Sequence, residues 1–536
     1  MIRKSSDYYN TSLGIVKEFI RTITVVDDKA QFIADETGSS FDAGRIIKQF
    51  AEDGKICSVF KFTEKKDVDK IIKIARESDI TILDWKLNLP EGSDYADDAE
   101  DELAEDENDS KGFYTLEILK GIISSEYNSL KLFVIYTDEV ELNRIAVEIK
   151  SELEKDDIRT KDTSPYSFDC NNNKICIFGK EEVKRKATHT KEIAERSYNY
   201  EELTEAIYGE FVNYTHGVVA GIFLKAIASI RTNTYLLLNT FQRNIDAAFI
   251  AHKGLLPVPD DAHDHIIELI GSEMKSVING ALDDAIINRL IDNYIDSLDK
   301  NHLLEYKDNN GTSKRLSIVE LKSLIKDSEF KNNLSKNSEK ELPDSLPQSI
   351  IKADNPTLSD VEAKSLSDAS NIEFAKLTTL KNRYLAFSKP VLTLGVVLKG
   401  TAIPGEDEYW ICVQPKCDSL RIPENENNNQ GRTFLFLSLS KTDKGEIIYD
   451  KDTRFKVEYN IKKSKQFMFR PTENGMVCVR RNESNDCFFL DSFERRFEYL
   501  CELKNDFAQR IANNFASHIS RVAVNHSEWL RLQVDK

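Results

Sequence analysis

Four short runs constrain the chain most: TITVVDD (22–28), ITILD (80–84), LKLFVIYT (130–137) and KICIFGK (174–180). Each is apolar at consecutive positions and rich in β-branched residues, the pattern of a strand buried on both faces. Between them lie the helical periods FDAGRIIKQFAEDG and VDKIIKIARES, separated by the strand-like ICSVFKF. Helical stretches at about 114–124 and 140–155 separate the later runs. Strands that alternate with helices connect through right-handed crossovers and pair in parallel. Residues 1–185 are therefore expected to form one α/β domain, a doubly wound parallel sheet.

In such sheets ligands sit beyond the carboxyl ends of the strands, where the strand order switches. The distinctive polar residues fall at those ends. Asp27 and Asp28 close the first strand, Asp84 the third, Thr137 the next, and Lys180 follows the last. Three carboxylates at one mouth repel one another unless a cation lies among them, and hard oxygen donors suit Mg²⁺. One carboxylate then serves as nucleophile toward a phosphoryl group, with a lysine and a hydroxyl holding phosphoryl oxygens. The expected chemistry is that of an aspartyl-phosphate site.

With VVDD (25–28), ILDWKL (82–87), VIYT (134–137) and FGK (178–180) in that order, residues 20–185 resemble the receiver domain of two-component response regulators. The resemblance implies a receiver/flavodoxin-like fold. It makes Asp84 the phosphoacceptor, Asp27, Asp28 and Asp84 the Mg²⁺ ligands together with the backbone carbonyl of Lys86, Thr137 the switch hydroxyl and Lys180 the phosphate-binding lysine. A histidine kinase or related ATPase is the implied partner.

Beyond the last of these strands the pattern changes. Residues 186–300 carry helical periods, as in DDAIINRLIDNYIDSL, and are expected to form an α-helical domain. Residues 301–389, rich in Ser, Asn, Lys and Asp, read as a partly mobile helical connector. Residues 390–536 turn to strand patterns such as YWICVQP and TFLFLSLSK and are expected to form a small β-rich domain, closed by a long helix at about 493–521.

The formal charge of −18 includes eleven carboxylates with no base between Glu91 and Asp109, an acidic insertion at 91–110. That balance disfavours general binding to duplex nucleic acid. Residues 451–536 hold sixteen basic against twelve acidic residues, which reads as a solvated face. The run from His216 to Ile230 is too short to span a bilayer and reads as a buried helix. The N-terminus lacks the apolar core of a secretory signal, and eight sparse cysteines without a C-x-x-C pair fit reduced thiols, so a cytoplasmic location is expected. His263 and His265 sit at a helix start and read as capping neighbours rather than metal ligands.

The leading expectation is a response-regulator-like signalling protein whose C-terminal half acts through protein contacts. The alternative is a pseudo-receiver scaffold or effector in a bacterial stress or phage-defence module, served by a kinase or ATPase. No catalytic motif appears beyond phosphorylation and autodephosphorylation of the receiver-like segment.

Overall fold

The computed structural model describes residues 6–32, 41–89, 112–123, 130–186, 191–257, 259, 261–307, 313–326, 342–381, 389–403, 406–420, 422, 431–449, 454–473, 475–482 and 486–519. The acidic insertion lies outside the described residues. Two compact units result: Met1–Lys300 with Leu316–Asn333, and Asn301–Arg315 with Leu334–Lys536.

Unit 1 is built on seven strands: β1 Thr22–Asp27, β2 Ile56–Lys61, β3 Ile80–Leu83, β4 Lys131–Thr137, β5 Thr160–Ser164, β6 Ser167–Cys170 and β7 Asn173–Gly179. They are ordered β2-β1-β3-β4-β7-β6-β5. The first five pair in parallel, as the four apolar runs require, while β6 and β5 add an antiparallel hairpin at one edge. The sequence reading missed that hairpin. Its edge strand β5, TKDTS, is polar because an edge needs no second apolar face, and β6, SFDC, is only four residues long although its Phe168 and Cys170 are buried in the second core.

Side chains alternate across this sheet. Ile23, Val25, Ile82, Val134 and Phe178 face one core; Val26, Leu83, Phe133, Ile135 and Ile177 face the other. Helices α1 Asp7–Phe19 and α2 Ala43–Glu52 pack on the first face. Helices α3 Asp67–Glu77, α4 Phe113–Ile123 and α5 Leu142–Lys155 pack on the second. The first face is completed from the helical stretch: α6 Tyr200–Tyr214 buries Leu203, Ile207, Tyr208, Phe211 and Val212 there, and α7 Val218–Thr232 adds Leu224 and Ala228. A capping box, in which the Asn199 side chain and Glu202 satisfy each other's backbone N–H groups, fixes where α6 begins. The expected buried helix at 216–230 is thus α7, with one face on the core and Val219 and Phe223 left exposed. Helices α8 Thr234–Thr240, α9 Asp246–Leu255, α10 Asp261–Ala281 and α11 Asp284–Ser297 follow.

Unit 2 contains a seven-stranded sheet: β8 Val396–Ile403, β9 Glu406–Cys412, β10 Arg432–Tyr449, β11 Arg454–Phe469, β12 Arg480–Arg481, β13 Cys487–Leu490 and β14 Arg496–Glu502. The order is β11-β10-β9-β8-β14-β13-β12, antiparallel throughout. The expected helix at 493–521 is corrected here. Residues 496–502 form β14, between β8 and β13, and the helix α12 runs only over Asn505–Ile519. RFEYLCE alternates, and Phe497 stacks on Phe467 with ring centroids 4.8 Å apart, so tertiary pairing outweighs the helical tendency of Glu, Arg and Leu. A second difference is a short hairpin, Glu305–Lys307 with Ser313–Arg315, where only helices were expected.

Among the described residues no single helix is long and apolar enough to cross a membrane. Tyr200–Tyr214 and Val218–Thr232 reach that length only together, across a bend of 120°.

Candidate functional site at the switch point of the sheet

Strand order reverses at β1 and β3, which lie side by side with connections leading away in opposite directions. Asp27 and Asp28 end β1 and Asp84 follows β3, so parallel pairing brings these carboxylates to one mouth. Lys180, directly after β7, reaches in between. Its Nζ lies 2.8 Å from Asp27 Oδ2 and 2.7 Å from Asp84 Oδ1, and both carboxylate side chains are 2% exposed. The rings of Phe41 and Tyr136 flank the ammonium at 5.6 and 5.9 Å. Thr137, fully buried at the end of β4, accepts a hydrogen bond at its hydroxyl from the Glu139 amide at 3.2 Å. Lys86 donates its backbone N–H to Asp84 Oδ2 and pairs its side chain with Glu139 at 2.6 Å.

Several supporting residues escaped the sequence reading. Asn88 donates to Asp28 Oδ2 through both its backbone and side-chain nitrogens, at 3.3 and 3.2 Å. The Lys29 amide donates to Asp27 Oδ1, and Thr115 Oγ1 to the Asp84 carbonyl. Asn88 and Lys29 lie within four residues of the motif carboxylates, so proximity was the only available signal. Thr115 comes from α4, and nothing in the sequence linked it to Asp84.

Burial dominates the electrostatics. It pushes the Asp84 carboxyl up to about 7; the Lys180 ammonium pulls it down and the Asp27 charge pushes it further up. Asp28 is also raised, first by burial and then by Asp27. Burial alone would lower Lys180, but Asp84 and Asp27 hold it charged, above its ordinary value. The mouth therefore holds more buried carboxylate than one ammonium neutralises. Among the described residues Asp28 Oδ1 is buried without a hydrogen-bond partner. Hard, undersatisfied oxygens of this kind fit a divalent cation such as Mg²⁺. Among the described residues, however, no three His, Cys, Asp or Glu side chains already form a cage, because Lys180 stands between Asp27 and Asp84. His263 and His265 likewise belong to no such group: His263 Nε2 lies 2.7 Å from Lys253 Nζ, and His265 Nδ1 lies 3.2 Å from His252 Nε2.

The mouth is wired to α6. Tyr136, next to Thr137, donates its hydroxyl to the Tyr198 carbonyl at 2.7 Å. Tyr200 Oη accepts from the Asp42 amide, and its ring meets Phe41 edge-on at 5.4 Å.

The domain is thus a doubly wound α/β sheet with a buried carboxylate–lysine cluster at its switch point, the place where ligands of such sheets sit. Residues 19–185 match the family model described as a response receiver domain. This segment of the chain is a receiver domain, which supports a response-regulator-like role in signal transduction; no family covers the remainder. No curated protein and no solved structure matches the chain.

Proposed function

We propose that the receiver segment accepts a phosphoryl group on Asp84 and passes its state through Tyr136 and Thr137 to the helices packed on the sheet. The observation that carries this reading is the Asp84 carboxylate, buried at a strand end 2.7 Å from Lys180 with Asp27 and Asp28 beside it. An Asp84 oxygen attacks phosphorus of a phosphohistidine or of acetyl phosphate. The bond from phosphorus to the leaving group breaks, the leaving group keeps its electron pair, and an acyl phosphate forms. Lys180 moves its charge from the two carboxylates toward a phosphoryl oxygen. Thr137 still has its own hydroxyl proton to donate to another. Mg²⁺, held by Asp27, Asp28, Asp84 and the Lys86 carbonyl, would neutralise phosphoryl charge and favour the ionised Asp84. When Thr137 moves toward the phosphoryl group, the adjacent Tyr136 must shift against Tyr198 and Tyr200, which gives α6 a two-position contact. The partners are a histidine kinase or related ATPase and a protein recognised by the C-terminal half.

The test is labelling with acetyl phosphate and Mg²⁺. The wild type is expected to carry a hydroxylamine-sensitive phosphoryl group that Asp84→Asn abolishes, since an amide is a poor nucleophile. Lys180→Ala is expected to weaken retention of the phosphoryl group, one charge-assisted hydrogen bond contributing about 1.5–3 kcal/mol. Label persisting in Asp84→Asn would move the site elsewhere. A second reading, a scaffold that keeps the fold without phosphorylation, draws support from the raised Asp84 carboxyl, which is partly protonated near neutrality. Absence of label with every donor would favour it.

A further inference from the structure

Helices α1 and α11 pack antiparallel. Tyr8 meets Tyr294 with ring centroids 5.4 Å apart, and the Asn293 side-chain amide donates to Thr11 Oγ1 at 2.9 Å. One turn further along each helix the same two faces carry Gly14 on α1 and Arg289 on α11, and both line a cleft of about 440 Å³. A Cβ at Gly14 would meet nothing within 4 Å, so no packing contact fills the place opposite the arginine. The Arg289 side chain is exposed, and among the described residues it makes no hydrogen bond or ion pair. The buried Ile15 and Leu290 and the half-buried Ile286 give the cleft an apolar side. Helix α7 closes it. A Cβ at Gly221 would touch Ile15 and Leu290 at 3.9 Å, and one turn on Lys225 lines the cleft while paired with Glu18.

We propose that this cleft binds a small monocarboxylate with an apolar body, independently of any phosphorylation at Asp84. The volume lies within the roughly 300–1,000 Å³ of small-molecule sites, which join apolar walls to a few polar groups that fix orientation. The Arg289 guanidinium offers a planar fork of donors that matches a carboxylate, and the body of the ligand lies on Ile15, Ile286 and Leu290. Charge favours a monoanion over a dianion such as a phosphate monoester. Lys225 and Glu18 neutralise each other, which leaves one uncompensated cation. Asp7, the other carboxylate of the lining, stands about 10 Å along α1 from Gly14, beyond the Thr11–Asn293 bond. A glycine inside a helix is unfavourable relative to alanine, and no close approach requires one at position 14. What Gly14 contributes is the open space before Arg289.

Isothermal titration calorimetry of the full chain with phenylbutyrate tests this. A dissociation constant on the order of 0.1–1 mM is expected, the affinity that a ligand of that size reaches at ordinary efficiency. Phenylbutylamine, the same body with the opposite charge, is expected to give no binding heat. Arg289→Gln is expected to weaken binding of the acid at least ~10-fold through loss of a charge-assisted contact. Gly14→Leu is expected to abolish binding by filling the cleft, with circular dichroism unchanged and a melting temperature at or above that of the wild type, since leucine is the better helix former and its Cβ meets no atom there. Should Gly14→Leu fail to fold, Arg289→Gln decides alone. No binding by the wild type, equal binding of the amine, or binding that survives Arg289→Gln would each overturn the proposal.

Discussion

A fragment ending at residue 185 is expected to aggregate or to lack a cooperative melting transition, although it contains every strand of the receiver sheet. The cut removes α6, whose Leu203, Ile207, Tyr208, Phe211 and Val212 cover one sheet face. Burying a large apolar side chain contributes about 1.5–3 kcal/mol, so these five represent about 7–15 kcal/mol, comparable to the entire stability of a typical domain. The cut also breaks a buried charge cluster. Glu210 of α6 pairs with Lys174 of β7 at 3.2 Å and with Arg196 at 2.8 Å. Although burial works against it, these two cations hold the Glu210 carboxyl below its ordinary value. Without α6, Lys174 loses its carboxylate partner at the sheet. In the full chain Phe211→Ala is expected to destabilise unit 1 by about 3–5 kcal/mol. A soluble 1–185 fragment with a sharp thermal transition would show that the sheet face is covered in some other way.

Lys180→Met is expected to destabilise unit 1 by about 3–5 kcal/mol near pH 8 with a chelator present, the cost of removing one partner from a buried ion pair. The substitution leaves Asp27 and Asp84 facing each other in a buried mouth. Its pH dependence follows from Asp84. The folded-state value, about 7, lies above that of an unfolded aspartate, so the folded protein holds the extra proton between roughly pH 4 and 7 and loses stability as pH rises through that window. Removing the ammonium raises Asp84 further and extends the window upward. The gap between wild type and variant is therefore expected to be smaller near pH 5, where only the pair with Asp27 is lost, than near pH 8. Urea unfolding followed by the fluorescence of Trp85, buried beside Asp84, reads this out once Trp410 and Trp529 are replaced by phenylalanine. An equal loss at both pH values would mean that Lys180 acts through packing against Phe41 and Tyr136 instead.

The residues at the mouth were legible because each stands at the end of an apolar run. A buried strand can place a charged side chain only where it leaves the core, so Asp27, Asp28, Asp84, Thr137 and Lys180 had to appear at strand ends. The β5–β6 hairpin was not legible, since β5 is polar at the sheet edge and β6, which places Phe168 and Cys170 in the core, is too short to read as an apolar run, and neither was β14. In RFEYLCE, Leu500, Glu498 and Arg496 suit a helix as well as a strand, and only the neighbouring strands β8 and β13 decide between the two.

By itself the sequence determined that the first 185 residues form a doubly wound sheet with an acidic mouth and a single lysine, because period and punctuation are local properties of a chain. What only the tertiary structure decided is which elements share a core. Helix α6 looks from its sequence like the start of a separate helical domain, yet it completes the receiver sheet, while α8 to α10, no less apolar, stay exposed. Burial depends on which faces meet in space, and a helical period records that a face is apolar without recording what covers it.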